Sequence, residues 1–418
     1  MDRLTKINVP KNVKLIIEIL ENNGYEAYAV GGCVRDAIIG REPNDWDITT
    51  SATPEDVKRI FRKTIDTGIK HGTITVMIEK VGYEITTYRI DGEYEDGRHP
   101  KNVEFTSNLV EDLKRRDFTI NAMAYNDRNG IVDEFDGIGD LERGVIRCVG
   151  NPVHRFNEDA LRILRAVRFA ASLDFSIEEK TKEAITKLAD NLQKISKERI
   201  QAELEKLIMS NHPEKLKTAQ ETGITKVIFV EMDRLDEAGM LDEILGLVRI
   251  MPKDHYLRWT ALLAESGREN AADILKGFKF DNKTINIVSR LVEAAKRKLP
   301  ENRADVRRDI YEIGEDIYSM YLEFLKVYSE YKTSDNGMKQ ESISRYEKIK
   351  QEYLDIIEKG ECISLKGLAV NGRDLLELGA ERGEQVGEGL VMLLYKVLEN
   401  EKLNDRETLL DIFTNTYS

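Results

Sequence analysis

Two aspartates one residue apart, Asp45 and Asp47, are the first side chains whose type and spacing could do chemistry. If Trp46 to Ile48 forms a strand, alternate residues face the same way, so both carboxylates project from one face while Trp46 turns to the other. Carboxylates that close repel each other, and a divalent cation relieves the repulsion. Just upstream, a short apolar strand, Tyr28 to Val30, runs into Gly31-Gly32 and on to a helix beginning near Val34. Glycine removes the Cβ and a helix N-terminus favours negative charge, so backbone N–H groups at this turn can approach a triphosphate, and Arg35 adds a guanidinium. Alone, the two glycines describe an ordinary tight turn, and a solitary Asp-x-Asp also serves sugar-transferring enzymes. The succession of turn, Arg35-Asp36 and paired acids is what points to metal-assisted phosphoryl transfer.

Holding two metals about 4 Å apart, one at the attacking hydroxyl and one on the triphosphate, needs a third carboxylate from a neighbouring strand. Glu84, in the β-branched run Tyr83 to Ile90, is the candidate, with a solvated strand acid as its plain alternative. Asp117 competes for the role, although it precedes an expected helix from Phe118 to Tyr125, where it would serve as an N-cap. Further on, Asp159 and Arg162 stand at i and i+3 of one expected helix, a spacing that also suits a simple salt bridge. As a recognition pair, the carboxylate would accept the amino hydrogens of cytosine N4 or adenine N6 while the guanidinium donates to the ring acceptors beside them. Uracil and guanine present a carbonyl at that position and would be rejected, so a protein helix could select C and A in place of a template strand. Arg165 and Arg168 continue the arginine row beside an apolar stripe of Leu161, Leu164, Val167 and Ala171, which suits a helix packed on one side with its polar edge turned to a nucleotide.

Four motifs recur in order: Gly31-Gly32-x-x-Arg35-Asp36 with Asp45-x-Asp47, Arg115-Arg116-Asp117-Phe118-Thr119-Ile120-Asn121-Ala122, Glu158-Asp159-Ala160-Leu161-Arg162, and Ser196-Lys197-Glu198-Arg199-Ile200. Together they resemble the nucleotidyltransferase superfamily that includes DNA polymerase beta, and within it the tRNA nucleotidyltransferase and poly(A) polymerase family. The resemblance is clear over residues 1 to about 210 and thinner beyond. It implies that Asp45 and Asp47 bind magnesium, with Glu84 as the proposed third ligand, and that Gly32, Arg35, Arg116, Asp159, Arg162, Arg165 and Arg168 line the nucleotide pocket, Gly31 joining Gly32 on the triphosphate. The reaction implied is attack of the tRNA 3′-hydroxyl on the α-phosphate of CTP or ATP, adding CCA without a template. Cys33 stands where many relatives have serine, so a hydroxyl contact to phosphate is replaced. A glycine-rich charged loop, Arg89 to Pro100, occupies the place where a loop in CCA-adding relatives helps the pocket switch from C to A. His99 within it is read as a loop contact, and no histidine pair has metal-ligand spacing.

The elements that must position these residues divide the chain. Up to about Gly150, strand signals at Trp46 to Ile48, Thr73 to Ile78 and Tyr83 to Ile90 alternate with helical stretches such as Val13 to Leu20. From Asn157 onward the period is helical, including Ala160 to Leu173, Ile177 to Leu188 and Lys197 to Met209. The expected fold class is α+β: a polymerase-beta-like head with a mixed sheet and helices, then all-α neck, body and tail. The expected domains are a catalytic head at 1–148, a base-recognition neck at 149–210, an RNA-binding body at 211–299 and a tRNA-binding tail at 300–418, with breaks at His212-Pro213, Met251-Pro252 and Leu299-Pro300. Tyr318, Tyr321, Tyr328 and Tyr331 recur at helical spacing and read as core, and Lys332 to Met338 reads as a loop.

A formal net charge of −13 counts against a nucleic-acid partner unless basic residues cluster locally. They do so at Arg162, Arg165 and Arg168, and again at Lys296-Arg297-Lys298 with Arg303, Arg307 and Arg308. The body and tail are expected to grip the acceptor and T arms of tRNA by shape and phosphate contacts. No apolar run approaches the roughly 18 to 20 residues that span a bilayer, so a cytoplasmic protein is expected. Three widely spaced cysteines read as reduced thiols. Two rival functions share these features: an A-adding enzyme or poly(A) polymerase with the same head, and a catalytically silent RNA-binding protein.

Overall fold

The computed structural model describes residues 6–92, 103–332, 336–381 and 383–417. They form two compact units, divided in sequence between Leu245 and Gly246. The first unit opens with α1 (Lys11–Asn22), β1 (Ala27–Val30), α2 (Gly32–Ile38), β2 (Ile48–Thr50) and α3 (Pro54–Ile60). Then come β3 (Thr64–Gly68), β4 (Thr73–Ile78), β5 (Val81–Thr87), β6 (Arg89–Asp91), β7 (Val103–Phe105), α4 (Leu109–Lys114), β8 (Ala124–Asn126) and β9 (Gly130–Val132). Seven of the strands make one mixed sheet in the order β3-β4-β5-β2-β1-β8-β9, while β6 and β7 pair separately. The β2 and β5 ladder is parallel, with Ile48 opposite Ile85, and the other ladders of the sheet are antiparallel. Helix α4 turns Leu109, Asp112 and Leu113 inward, and its two leucines join Tyr28, Val30 and Tyr88 in one apolar cluster. α1 buries Val13, Ile16, Ile17 and Leu20 at helical spacing.

Three local expectations change. The strand expected at Trp46 begins at Ile48, because β1 turns away at Gly31 and the ladder closes with Val30 N–H donating to the Asp47 carbonyl (3.0 Å). The expected strand from Tyr83 to Ile90 is two strands interrupted at Tyr88, whose buried ring and N–H bond to the Thr50 carbonyl (2.7 Å) tie the junction to β2. The helix expected from Phe118 to Tyr125 is a 3-10 turn, Thr119–Asn121, followed by β8. Pairing of Ala124 with Val30 and of Tyr125 with Ala29 outweighs the local helix propensity of that run.

The helical part follows through α5 (Gly137–Arg143), β10 (Val145–Ile146), α6 (Pro152–Glu158), α7 (Leu161–Leu173), β11 (Ser176–Ile177), α8 (Glu179–Leu188) and α9 (Lys197–Ile208). Asn151 caps α6 ahead of Pro152, and α7 stops at Asp174 in the left-handed region. Leu161, Leu164, Val167 and Ala171 of α7 are buried as the stripe predicts, together with Ile163, Ala166, Phe169 and Ala170. α9 packs against α7 and brings Glu203 into the buried layer between them.

Four further helices, α10 (Leu216–Glu221), α11 (Ile224–Ile228), α12 (Glu231–Glu237) and α13 (Leu241–Ile250), reach the boundary. The second unit holds α14 (His255–Leu262), α15 (Arg268–Gly277), α16 (Asn282–Ala295), α17 (Arg303–Ile313), α18 (Glu315–Lys332), α19 (Asn336–Lys359), α20 (Gly372–Glu377), α21 (Glu384–Glu399) and α22 (Arg406–Tyr417). Pro213, Pro252 and Pro300 fall in the stretches between longer helices, and Asp254, Asp281 and Asn302 cap helices of this unit. Tyr318 and Tyr321 are core, whereas Tyr328 and Tyr331 are only half-buried. Part of the loop expected at 332–338, residues 333–335, lies outside the described residues, and Asn336 already begins a helix.

The second basic cluster is not an open stripe. Arg297 pairs with Asp309 and Glu312, Arg303 with Glu352, Asp355 and Glu361, and Arg307 is buried against Glu361 while donating to the carbonyls of Leu398 and Glu399. Acids on α17, on α19 and just beyond it at Glu361 neutralise those charges, which composition alone does not display. Leu164 is fully buried in α7. Leu164→Ala is expected to lower the unfolding free energy by about 2 to 5 kcal/mol, read by urea titration, and a loss well under 1 kcal/mol would contradict this packing.

Candidate functional site

The site is built around the corner where β1 ends. Gly31 holds φ at +84° and donates its N–H to the Met123 carbonyl (3.0 Å), a conformation that side chains with a Cβ rarely adopt. A Cβ there would also come within 2.9 Å of Arg116 Nη1, so the guanidinium rests directly over the glycine. Helix α2 starts at the next residue, with Arg35 N–H donating to the Gly31 carbonyl (3.1 Å). Asp47 borders the same corner through its carbonyl bond to Val30. Its residue surface is exposed, yet protein crowded around the carboxyl raises its pKa; Arg116 opposes that shift and Asp45 reinforces it. The paired acids therefore feel each other, although they stand in the approach to β2 and not on the strand itself.

Cys33 lies beneath this corner. It is buried, with Sγ at 3.3 Å from the Val30 carbonyl and 3.9 Å from that of Asp47, and burial pushes its pKa up to about 11. The neutral thiol faces the backbone under Asp47. The other two cysteines are likewise free and buried.

Glu84 lies one step before the Ile48–Ile85 pair of the parallel ladder. It is an exposed residue of β5 opposite Thr75 of β4, and among the described residues no three acidic, histidine or cysteine side chains converge to hold a metal. Asp117 takes neither of its expected roles. One oxygen of this buried acid accepts from Phe118 N–H (2.8 Å) and Asn121 Nδ2 (3.1 Å), and the other receives Arg165 Nε and Nη2 at 2.9 and 2.7 Å.

That ion pair belongs to a second layer, in which the arginine row is engaged rather than solvated. Arg165 and Arg168 both reach Glu203 of α9, at 3.4 and 2.9 Å. Arg35, Arg165 and Arg168 lie over the Phe169 ring, at 5.2, 5.2 and 3.4 Å from its centroid. Arg35 also donates to Asn121 Oδ1 (2.6 Å) and Asp36 Oδ1 (2.8 Å). Burial alone would raise the Asp117 carboxyl, but Arg165 and Asn121 outweigh it and hold it well below the usual carboxylate range. Burial lowers the Arg168 pKa, with Glu203 opposing.

Asp159 and Arg162 do not share a helix, and they meet through the backbone, Arg162 N–H donating to the Asp159 carbonyl (3.0 Å). α6 ends at Glu158, and Asp159 is extended between the helices, its Oδ1 accepting from Leu161 N–H (3.0 Å) and its Oδ2 from Arg199 Nη2 (2.8 Å). Asp159 thus starts α7 as a cap does. Arg162 pairs with Glu158 (2.6 Å) and donates to the carbonyls of Arg155 and Arg115. Sequence reasoning did not assign Asp112, Asn121, Phe169, Arg199 or Glu203, although Asn121 and Arg199 lie inside quoted motifs. Most of the glycine-rich loop, including His99, falls at residues 93–102, outside the described residues.

Three family models match consecutive parts of the chain: the poly A polymerase head domain at residues 27–147, the probable RNA and SrmB-binding site of polymerase A at 174–244, and a putative tRNA nucleotidyltransferase domain 2 at 251–413. The CCA-adding enzyme of Levilactobacillus brevis is 37% identical over 96% of both chains, and that of Enterococcus faecalis 38% identical over 98% of this chain and 97% of its own. This chain belongs to the CCA-adding enzyme family. The CCA-adding enzyme of Bacillus stearothermophilus, solved in complex with CTP, superposes with a TM-score of 0.75 at 32% identity, covering 96% of this chain and 95% of that one. The Thermotoga maritima enzyme complexed with tRNA-CCA shares the fold at 23% identity and a TM-score of 0.60, over 99% of this chain and 98% of its own. Both agree with the expected α+β head followed by helices, and nucleotidyltransferases of this kind typically use a divalent metal.

Because the Asp117 pKa is depressed in the fold, its stabilisation is complete above the unfolded value near pH 4 and is lost as pH falls through the folded one. Asp117→Asn leaves the buried Arg165 only its longer contact to Glu203 and is expected to cost about 3 kcal/mol at pH 7, with the gap from the wild type closing below about pH 4. Chemical denaturation across that range tests it, and a gap independent of pH would contradict the assignment.

Proposed function

We propose that the chain completes tRNA 3′ ends with CCA from CTP and ATP, without a nucleic-acid template, using magnesium. The observation that carries this reading is the corner where Arg116 lies over Gly31, beside the segment that carries Asp45 and Asp47. Magnesium fits the donor set: it commonly binds one or two carboxylates and completes its shell with substrate phosphates and water, which suits a pair of acids that repel each other beside the charge of Arg116. Magnesium bound there would neutralise the triphosphate and activate the attacking 3′-hydroxyl.

The chain's own residues do the rest. Gly31 and Gly32 leave room for phosphate against the backbone, and Arg116, fixed over Gly31, offers its charge to the triphosphate. Asp159 uses one lone pair of each oxygen on Leu161 and Arg199, which leaves acceptor capacity for the amino hydrogens of cytosine or adenine. Arg162, held by Glu158, supplies donors on the neighbouring side. Arg35, Arg165 and Arg168 support the pocket as one stacked layer with Phe169. In this proposal Glu84 remains the candidate third carboxylate, one step before the Ile48–Ile85 pair of the parallel ladder. The head (1–148) carries the chemistry and the neck (149–210) the base selection, while the body (211–299) and tail (300–418) hold the acceptor and T arms. The proposal includes a cytoplasmic location; no helix among the described residues is long and apolar enough to cross a membrane.

With tRNA trimmed to its discriminator base, magnesium, CTP and ATP, the expected product is longer by CCA. Addition of A alone or of a long A tail would reject the reading in favour of its relatives. Asp45→Ala and Asp47→Ala are each expected to reduce incorporation by more than about a hundredfold while tRNA binding in a filter assay is retained. Unchanged incorporation in either variant would overturn the metal assignment. Asp159→Ala is expected to relax selection against UTP and GTP, read from misincorporation with single nucleotides, and retained selectivity would remove it from base recognition.

A further inference from the structure

We infer that Asp112 is a positioning residue for nucleotide binding, its buried carboxylate fixing the Arg116 guanidinium over Gly31. The inference rests on the reading of Arg116 as a triphosphate contact. Asp112 sits on α4 between Leu109 and Leu113, on the face packed against the sheet, and is 0% exposed. At such a position an apolar residue is the default, and an ionised carboxylate is costly unless it is paired. Its partners come from three separate places. Oδ1 receives Arg115 Nε (2.9 Å) and, more distantly, the backbone N–H of Arg89 at the start of β6 (3.4 Å). Oδ2 lies 3.2 Å from Thr49 Oγ1 and 3.6 Å from Arg116 Nη2. The Thr49 hydroxyl shares its single hydrogen between Asp112 and the Thr86 carbonyl, also at 3.2 Å, which ties the carboxylate to both β2 and β5.

One oxygen of Asp112 is thus committed to Arg115 and to the entrance of β6. The other stands between the strand that follows Asp47 and the guanidinium that covers Gly31. Burial would by itself raise the Asp112 pKa, but Arg115 and Arg116 outweigh it and keep the group ionised. Arg116 needs such a partner: its Nε is buried without a hydrogen bond, so its orientation depends on contacts at the far end of the guanidinium. Neutralising Arg115 alone would require only Oδ1. The placement of Oδ2 beside Thr49 and Arg116 is what makes Asp112 part of the site's geometry.

A double-mutant cycle on the full-length protein separates this role from a purely structural one. Equilibrium binding of CTP and of ATP in magnesium buffer is measured for the wild type, Asp112→Asn, Arg116→Ala and the double variant, with thermal melting in parallel. Asp112→Asn is expected to weaken both nucleotides about tenfold, and the double variant to bind no worse than Arg116→Ala. Additive losses, or normal affinity in Asp112→Asn when Arg116→Ala binds poorly, would overturn the positioning role while leaving Arg116 as a contact. Normal affinity in Arg116→Ala would remove both that contact and the inference built on it. Should Asp112→Asn not fold, Thr49→Val, which keeps the charge and removes the hydroxyl at Oδ2, is expected to weaken binding about threefold, and unchanged affinity there would equally overturn the proposal.

Discussion

A carboxylate removed from water must meet positive charge, and much of the first unit is arranged around that requirement. Asp117 satisfies it with a two-bonded contact to Arg165, across 48 residues of chain, joining the segment after α4 to helix α7. Glu203 repeats the solution from α9 by holding both Arg165 and Arg168. The three guanidiniums that face Phe169 could not be packed together without those acids, since like charges at that spacing repel. The catalytic sheet and the helices that follow it are therefore locked by electrostatics inside an apolar frame, and the arginines that face a nucleotide in the proposed reaction are set by the same contacts.

The corner at Gly31 shows a complementary use of small residues. Gly31 alone can hold its backbone angle and admit Arg116 so closely, while Cys33, directly below, fills the space under the Asp47 backbone with a neutral thiol. A serine hydroxyl there would demand stronger hydrogen bonds, whereas a thiol behaves as a small apolar group with a weak donor. The exchange is thus compatible with the corner, because the side chain supports the backbone from beneath and does not reach outward.

Much of this was legible beforehand. The strands β1 and β4 and the amphipathic helices α1, α7, α8 and α9 followed from periodicity and capping, which are local properties. The Gly31, Asp45-Asp47 and Arg116-Asp117 motifs announced the chemistry because residue types that bind phosphate and metal are few. What periodicity could not show was where neighbouring strands begin and end. β8 took over a run with helical character because it pairs with β1, and β2 starts at Ile48, after the two aspartates and not on them.

Sequence by itself determined the family, the α+β order of elements and the set of residues available for catalysis, since these depend on composition and spacing along one chain. Tertiary structure alone decided which acid meets which arginine. Asp159 chose Arg199 over Arg162, Asp117 became a buried anchor instead of a helix cap, Arg297, Arg303 and Arg307 met acids of α17, α19 and the turn after it, and Asp112, silent in the sequence, came to stand between Thr49 and Arg116. Ion pairs reach only a few ångströms, so their partners are fixed by the packing of distant segments and leave no period in the sequence.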